Sequence, residues 1–434
     1  MSSFVIEGGR KLHGSIETGR AKNSAVALLC ASVMVKGEVT LSHMPRIQEV
    51  ERMLEILSSI GVGVRWKDDH ILQLNTAGPL SLSTIHEEAC KEIRSSLLFL
   101  GALAHRETSY KLYKSGGCAL GKRTVRPHLY ALQKFGVAVK SMNNYYAVKN
   151  TPKTPGRVVM YESGDTPTEN AIMAAVFTPG VTTISFASAN YMVQDLCYFL
   201  RTAGAKIEGI GTTTLTITGV SALKKRVSYV IMPDPIEAMT CIALGITTHS
   251  TLTIENCPID FLELELEKLR VCGQKFVLKN ERLSESKHFR IVDIVLEPST
   301  LSALPDKLYG RPYPGLNIDH VPLFVPILTQ AKGRSLVHGW VYEARAVYYL
   351  ELVKLGARVT LLDPHRVFVE GPSAMTGADI SCPPAIRPAM AILIAMIAAK
   401  GTSVLRDIYM IERAHEHLVE RLQRIGVSIY HSES

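Results

Sequence analysis

IGVGV at residues 60–64 returns five more times along the chain, as FGVAV at 135–139, AGAKI at 203–207, CGQKF at 272–276, LGARV at 355–359 and IGVSI at 425–429. The shared glycines are Gly61, Gly136, Gly204, Gly273, Gly356 and Gly426, spaced by 75, 68, 69, 83 and 70 residues. A glycine just past a helix suits the left-handed C′ position, where a Cβ would be strained. The alternation of apolar and polar residues after it starts a strand.

Working outward, each copy has the same lead-in. A mostly apolar helical stretch comes first, such as SAVALLCASVMVKG from Ser24, SSLLFLGALAHRE from Ser95 or AMAILIAMIAAKG from Ala389. A short β-rich run follows (EVTLSHMP, VTTISFAS, STLTIEN or TSVLRDIY), and then an amphipathic helix ends at the glycine, as in VERMLEILSSIG and LVERLQRIGV. Units of helix, strand, helix and strand on this spacing exceed a solenoid repeat of about 20–50 residues. They read as α+β modules, three packed around each of two cores. Helices that are apolar nearly all round belong inside, covered by sheets. The break between the third and fourth copies falls in YVIMPDP, near Tyr229 to Asp234, and a cleft between two such halves is a usual place for a ligand.

With 434 residues, 47% of them hydrophobic, the chain can bury a large core in two to three domains. The apolar run from Ala389 to Ala399 is too short to span a bilayer. The opening MSSFVIEGGRKLHG lacks the pattern of a signal peptide, so a soluble cytoplasmic protein is expected. Eight scattered cysteines without a CxxC pair read as reduced thiols, neither a disulfide framework nor a zinc site. The net charge of +8 is interleaved with acids, and aromatics make up only 7%, so small anionic ligands fit better than a nucleic acid. GIG at Gly209 lacks the third glycine of a dinucleotide site and reads as a hairpin turn. HEH at His415 to His417 is not HExxH, and reads as a solvated helix face.

The repeat plan, together with AKN at Ala21 to Asn23 and GGC at Gly116 to Cys118, resembles the UDP-N-acetylglucosamine enolpyruvyl transferases over the whole chain. The resemblance implies an inside-out α/β barrel of two lobes with three repeats each, joined by a double-crossover hinge. One lobe would span residues 22–230 and carry the Gly-Gly-Cys loop; the other would comprise residues 1–21 plus 231–434. The lobes would close on phosphoenolpyruvate and a nucleotide-linked acceptor. Neither a metal nor a cofactor is implied, and neither is a membrane or nucleic-acid partner.

The chemistry of such a transfer fixes which groups are needed. Phosphoenolpyruvate carries a phosphate and a carboxylate, so its site needs guanidinium or ammonium groups held without carboxylate partners. Adding a hydroxyl to the enol carbon needs a base for the hydroxyl proton and an acid for the methylene carbon. The resemblance assigns the anions to Lys22, Arg123, Arg345, Arg387 and Arg413, with Lys22 and Arg413 also counted in the catalytic set. It assigns the acceptor to Asn23, Arg94, Arg123, Thr124, Val125, Ser163, Asp319 and a backbone contact at Val341. Asp319 matches the proton-accepting aspartate. Cys118 matches the cysteine that protonates the methylene carbon or assists product release, and that fosfomycin alkylates. Blander roles exist for each. Lys22 alone would pass for a solvated residue at a helix start, Asp319 for the N-cap of a helix beginning near Val321, and Cys118 for a loop thiol, although Lys114, Lys122 and Arg123 nearby favour its thiolate.

Departures from the family cluster on the acceptor side. The uracil-holding RPVD run reads RTVR at 123–126, and the SVGAT segment becomes SGDTPT from Ser163. Gln48 replaces a lysine, Ala385 an aspartate, and Ala344 and Met410 polar residues. Lost partners of this kind cost about 1–3 kcal/mol each where the orphaned group is buried. UDP-N-acetylglucosamine leads as acceptor. Another nucleotide such as UMP, a shikimate-pathway substrate, and a catalytically weakened ligand-binding paralogue (favoured by Ala385) stay open.

Overall fold

The computed structural model describes residues 2–115 and 124–433. All six repeat glycines have positive φ, from 86° at Gly136 to 106° at Gly204. Each closes a helix with its own N–H, and at all but Gly136 the next residue's N–H adds a second bond back to the helix. Gly61 N–H donates to Ser58 O at 3.0 Å and Val62 N–H to Leu57 O at 3.0 Å, and Gly204 with Ala205 and Gly426 with Val427 repeat both bonds. This is the Schellman arrangement, in which the left-handed residue lets the chain double back and satisfies the last carbonyls. At Gly136 a Cβ would also lie 1.8 Å from Thr151 O, so close approach as well as φ demands glycine.

In the first five copies the strand after the glycine is half of a hairpin, and the module is therefore one strand longer than the sequence pattern indicates. In the first copy Glu38–Ser42 pairs antiparallel with Ile71–Asn75, and Ile71–Asn75 with Gly63–Trp66. A fourth strand, Arg226–Val230, joins parallel to Glu38–Ser42 with Val227 beside Val39. Five sheets follow this order; the sheet of Ser109–Tyr113, Tyr145–Asn150 and Val137–Ser141 has three strands among the described residues. The sixth copy borrows its central strand from the start of the chain. Ser2–Gly8 lies between Gly401–Arg406 and Ser428–Glu433, antiparallel to both. Ser15–Glu17 then joins parallel to Thr253–Pro258.

Contacts divide the described chain into two compact units, residues 20–115 with 124–232, and residues 2–19 with 233–433. Each holds three of the six sheets. In the second unit the helices Pro235–Thr247, Val321–Leu328 and Ile386–Ala398 pack on one another and are buried along nearly their whole length. In the first unit Lys22–Ser32 and Asp165–Val176 are likewise buried along most of their length, and both pack on the helix Tyr191–Thr202. Residues such as Leu28, Leu29 and Ile392 are at most 1% exposed, and each contributes about 1.5–3 kcal/mol of burial. The apolar run from Ser95 departs from expectation. It folds as a 3₁₀ turn, Arg94–Leu98, followed by a single α-turn, Phe99–Ala102. Here the backbone meets the Asp165–Val176 helix closely: Gly101 N–H donates to Asn170 Oδ1 at 2.7 Å, and a Cβ on Gly101 would sit 2.4 Å from Asn170 O.

The described cysteines are free thiols, all buried except the half-buried Cys382. Among the described residues no helix is long and apolar enough to cross a membrane.

Candidate active site

Lys22 opens the Lys22–Ser32 helix, but it is not the solvated residue its position allows. Its ammonium lies 2.9 Å from Glu49 Oε2, with the two side chains 13% and 11% exposed. This also corrects the expectation of cations without carboxylate partners. A lysine this shielded from water gains by pairing, because an uncompensated charge there is costly. Next to it, Asn23 Nδ2 donates to Tyr191 Oη at 3.0 Å.

Arg94, at the start of the 3₁₀ turn, donates from Nη2 to the carbonyl of Thr124 at 3.1 Å. Thr124 Oγ1 accepts from Arg126 N–H at 3.1 Å, and Val125 precedes the Arg126–Lys134 helix. Beneath them His128 is buried, with Nδ1 2.9 Å from Asn170 Nδ2. Burial, and then the Arg94 charge, push His128 down to about 3, so it is neutral and accepts the amide proton. Ser163 Oγ donates to the carbonyls of Phe186 and Ala187 at 3.1 and 3.2 Å. Two residues on, Asp165 accepts from Ser188 Oγ at 2.6 Å and Asn190 Nδ2 at 3.2 Å. Cys118 and Arg123 lie outside the described residues.

In the other unit three predicted residues meet. Arg345 Nη2 lies 3.3 Å from Asp319 Oδ1, and Arg387 Nε 3.8 Å from Asp319 Oδ2. Both arginines are buried, at 3% and 7% exposure. Arg345 is aimed by the left-handed Ala344 before it, φ 53°, and by Tyr342, whose ring centroid is 4.0 Å from the guanidinium carbon. These cations too have a carboxylate partner, but it is the residue read as the base. Asp319 does not cap the Val321–Leu328 helix: His320 holds that position, without a side-chain cap bond. Arg387 is the second residue of Ile386–Ala398, and Ala385 is its uncapped, fully buried N-cap. Arg413 ends the Tyr409–Glu412 helix and lies over the Tyr409 ring, 5.8 Å from its centroid. Val341 is exposed. The HEH run is not a solvated helix face. It forms the turn before Leu418–Arg424, with His415 buried.

Three residues around Asp319 were not legible in the sequence. His320 Nδ1 lies 2.6 Å from Glu265 Oε1, and both side chains are buried. Tyr349 is fully buried; burial pushes its hydroxyl up, and its Oη has no hydrogen-bond partner among the described residues. Arg345 Nε is likewise buried without one. A buried donor left unsatisfied costs free energy that a ligand can return. Two such donors beside Asp319 therefore suit an anionic ligand. Among the described residues no group of His, Cys, Asp and Glu could hold a metal ion.

With this fold and this carboxylate between two buried guanidiniums, comparison with known proteins is decisive as to family. The chain belongs to the enolpyruvyl transferases: the family model described as EPSP synthase (3-phosphoshikimate 1-carboxyvinyltransferase) matches residues 6–422. Among curated relatives, the UDP-N-acetylglucosamine 1-carboxyvinyltransferase of Treponema pallidum (strain Nichols) is 34% identical, over 99% of each chain. That of Bradyrhizobium diazoefficiens is also 34% identical, over 98% of this chain and 97% of its own. Among solved structures, the enolpyruvyl transferase NikO from Streptomyces tendae superposes with a TM-score of 0.86 at 24% identity, over 99% of both chains. An EPSP synthase from Acinetobacter baumannii gives 0.75 at 16% identity over the full length of both. The fold is thus the inside-out α/β barrel of two three-module lobes.

Proposed function

We propose that the protein transfers the enolpyruvyl group of phosphoenolpyruvate to the 3-hydroxyl of UDP-N-acetylglucosamine, releasing phosphate. The observation that carries this reading is Asp319 held between buried Arg345 and Arg387, in a chain whose full-length relatives bear that activity in their names. Asp319 takes the acceptor proton as the hydroxyl oxygen bonds to C2 of the enol, and a proton is delivered to C3 to make a methyl group. Cys118 is read as that donor or as an aid to product release. The tetrahedral intermediate then expels phosphate and loses a methyl proton, which restores the vinyl group. Lys22, Arg123, Arg345, Arg387 and Arg413 hold the phosphate and carboxylate, and stabilise the leaving group. Asn23, Arg94, Arg123, Thr124, Val125, Ser163 and Val341 hold the acceptor. One lobe spans residues 22–230 and the second residues 1–21 plus 231–434. In this reading the enzyme works in the cytoplasm, serves peptidoglycan synthesis and is alkylated by fosfomycin.

One observation favours a second acceptor. Asp165, fixed by Ser188 and Asn190, puts a carboxylate in the segment read as lining the nucleotide pocket. It would repel a diphosphate more than the single phosphate of a nucleotide such as UMP. Phosphate release from phosphoenolpyruvate with each acceptor separates the two. Release with neither, alongside measurable nucleotide binding, would support a ligand-binding paralogue instead.

A further inference from the structure

Asp319 sits in the segment 317–320, and one side chain from outside it bonds to both ends. Glu265, on the helix Glu263–Val271, uses a single oxygen twice. Its Oε1 accepts from Asn317 N–H at 3.2 Å and from His320 Nδ1 at 2.6 Å. Asn317 Oδ1 in turn accepts from Asp319 N–H at 2.9 Å. The chain is thus pinned on both sides of Asp319, while Arg345 and Arg387 hold its carboxylate and Arg345 Nη1 also grips Ile318 O at 3.0 Å.

The pin is an expensive one to build. The Glu265 and His320 side chains are 4% and 0% exposed, and His320 Nε2 is buried without a partner among the described residues. Apolar side chains of similar size would fill this space at lower cost, and a buried polar pair is best attested where it specifies geometry. Here the geometry it specifies is that of the segment carrying Asp319.

We propose that Glu265 and His320 are positioning residues for Asp319, clamping 317–320 so that the carboxylate keeps its place against Arg345 and Arg387. This rests on Asp319 being the base. Displacing a reacting group by about 1 Å can cost about 100-fold in rate, so the clamp should act on turnover more than on binding.

Glu265→Ala is read by amide hydrogen exchange and by steady-state kinetics. Exchange at Asn317 and Asp319 should accelerate at least about 10-fold as the protecting bonds are lost. In the same variant kcat should fall about 10–100-fold, with KM for phosphoenolpyruvate within about 3-fold. Glu265→Gln, which keeps the accepting oxygen, should recover most of both. Unchanged exchange at these amides, or faster exchange with unaltered kcat, overturns the proposal. Should Glu265→Ala not fold, His320→Leu, which removes the other half of the clamp, carries the turnover readout, and wild-type kcat there overturns it. Asp319→Asn separates the two layers. If that variant turns over normally, the reading of the base fails while the exchange data still judge the clamp. If it is inactive and Glu265→Ala is fully active, the clamp fails alone.

Discussion

Arg345 grips Asp319 and the residue before it: Nη2 lies 3.3 Å from Asp319 Oδ1, and Nη1 donates to the carbonyl of Ile318 at 3.0 Å. A planar fork can serve a carboxylate and a carbonyl at once, which an ammonium cannot do with the same geometry. With Arg387 on the other oxygen, two cations surround one carboxylate, and positive charge remains for an anionic substrate.

Arg345→Lys should therefore keep the charge and lose the geometry, lowering kcat/KM for phosphoenolpyruvate about 100-fold. Asp319→Asn should lower kcat about 1,000-fold by removing the base. Phosphate release measures both. Turnover near wild type in either variant would remove that residue from the chemistry.

Lys22→Ala should raise KM for phosphoenolpyruvate at least about 10-fold, since Lys22 is proposed to hold its phosphate. It also takes from Glu49 its partner at 2.9 Å in a largely buried setting, so unfolding free energy should fall by about 1–3 kcal/mol. Lys22→Arg should restore the stability. Urea melts and initial rates check the two effects separately.

Asp195 gives the protein a pH dependence of its own. Burial pushes its carboxyl up to about 7, against the hydrogen bond from Tyr229 Oη at 2.6 Å. In the unfolded chain the same group ionises near 3.8. Between these values the folded state keeps a proton that the unfolded state has released, so stability falls as pH rises from about 4 to about 7, and then levels. The effect is on the order of 4 kcal/mol. Asp195→Asn should flatten the difference between urea melts at pH 5 and pH 8; an unchanged difference would contradict the assignment.

Gly101→Ala should destabilise its unit by at least about 1–3 kcal/mol, because the new methyl meets backbone and not a flexible side-chain end. The nearest atoms, Asn170 O at 2.4 Å and Asn170 Cα at 2.7 Å, belong to a buried helix that cannot retreat. Thermal unfolding reads this. A melting point equal to wild type would show that the two helices separate easily.

The fold was legible because its punctuation is local. Gly61 and its five counterparts need positive φ, and that requirement shows in any sequence. The hairpin partners of the first five of these strands were missed, since strands such as Ile71–Asn75 carry no mark distinguishing them from loop until paired. Asp319, Arg345 and Arg387 could be named from the family pattern, and they do meet. Glu265 and His320 could not, because 55 residues separate them and only the tertiary fold makes them a pair. The same holds for Lys22 and Glu49, and for the buried place of His415.

The most direct test is phosphate release from phosphoenolpyruvate by the purified protein, with UDP-N-acetylglucosamine and UMP supplied separately and the organic product identified by mass. One phosphate should be released per enolpyruvyl ether formed, with UDP-N-acetylglucosamine the better acceptor and no release when the acceptor is omitted. Turnover of shikimate 3-phosphate alone, or an intact pool of phosphoenolpyruvate with every acceptor, would contradict it.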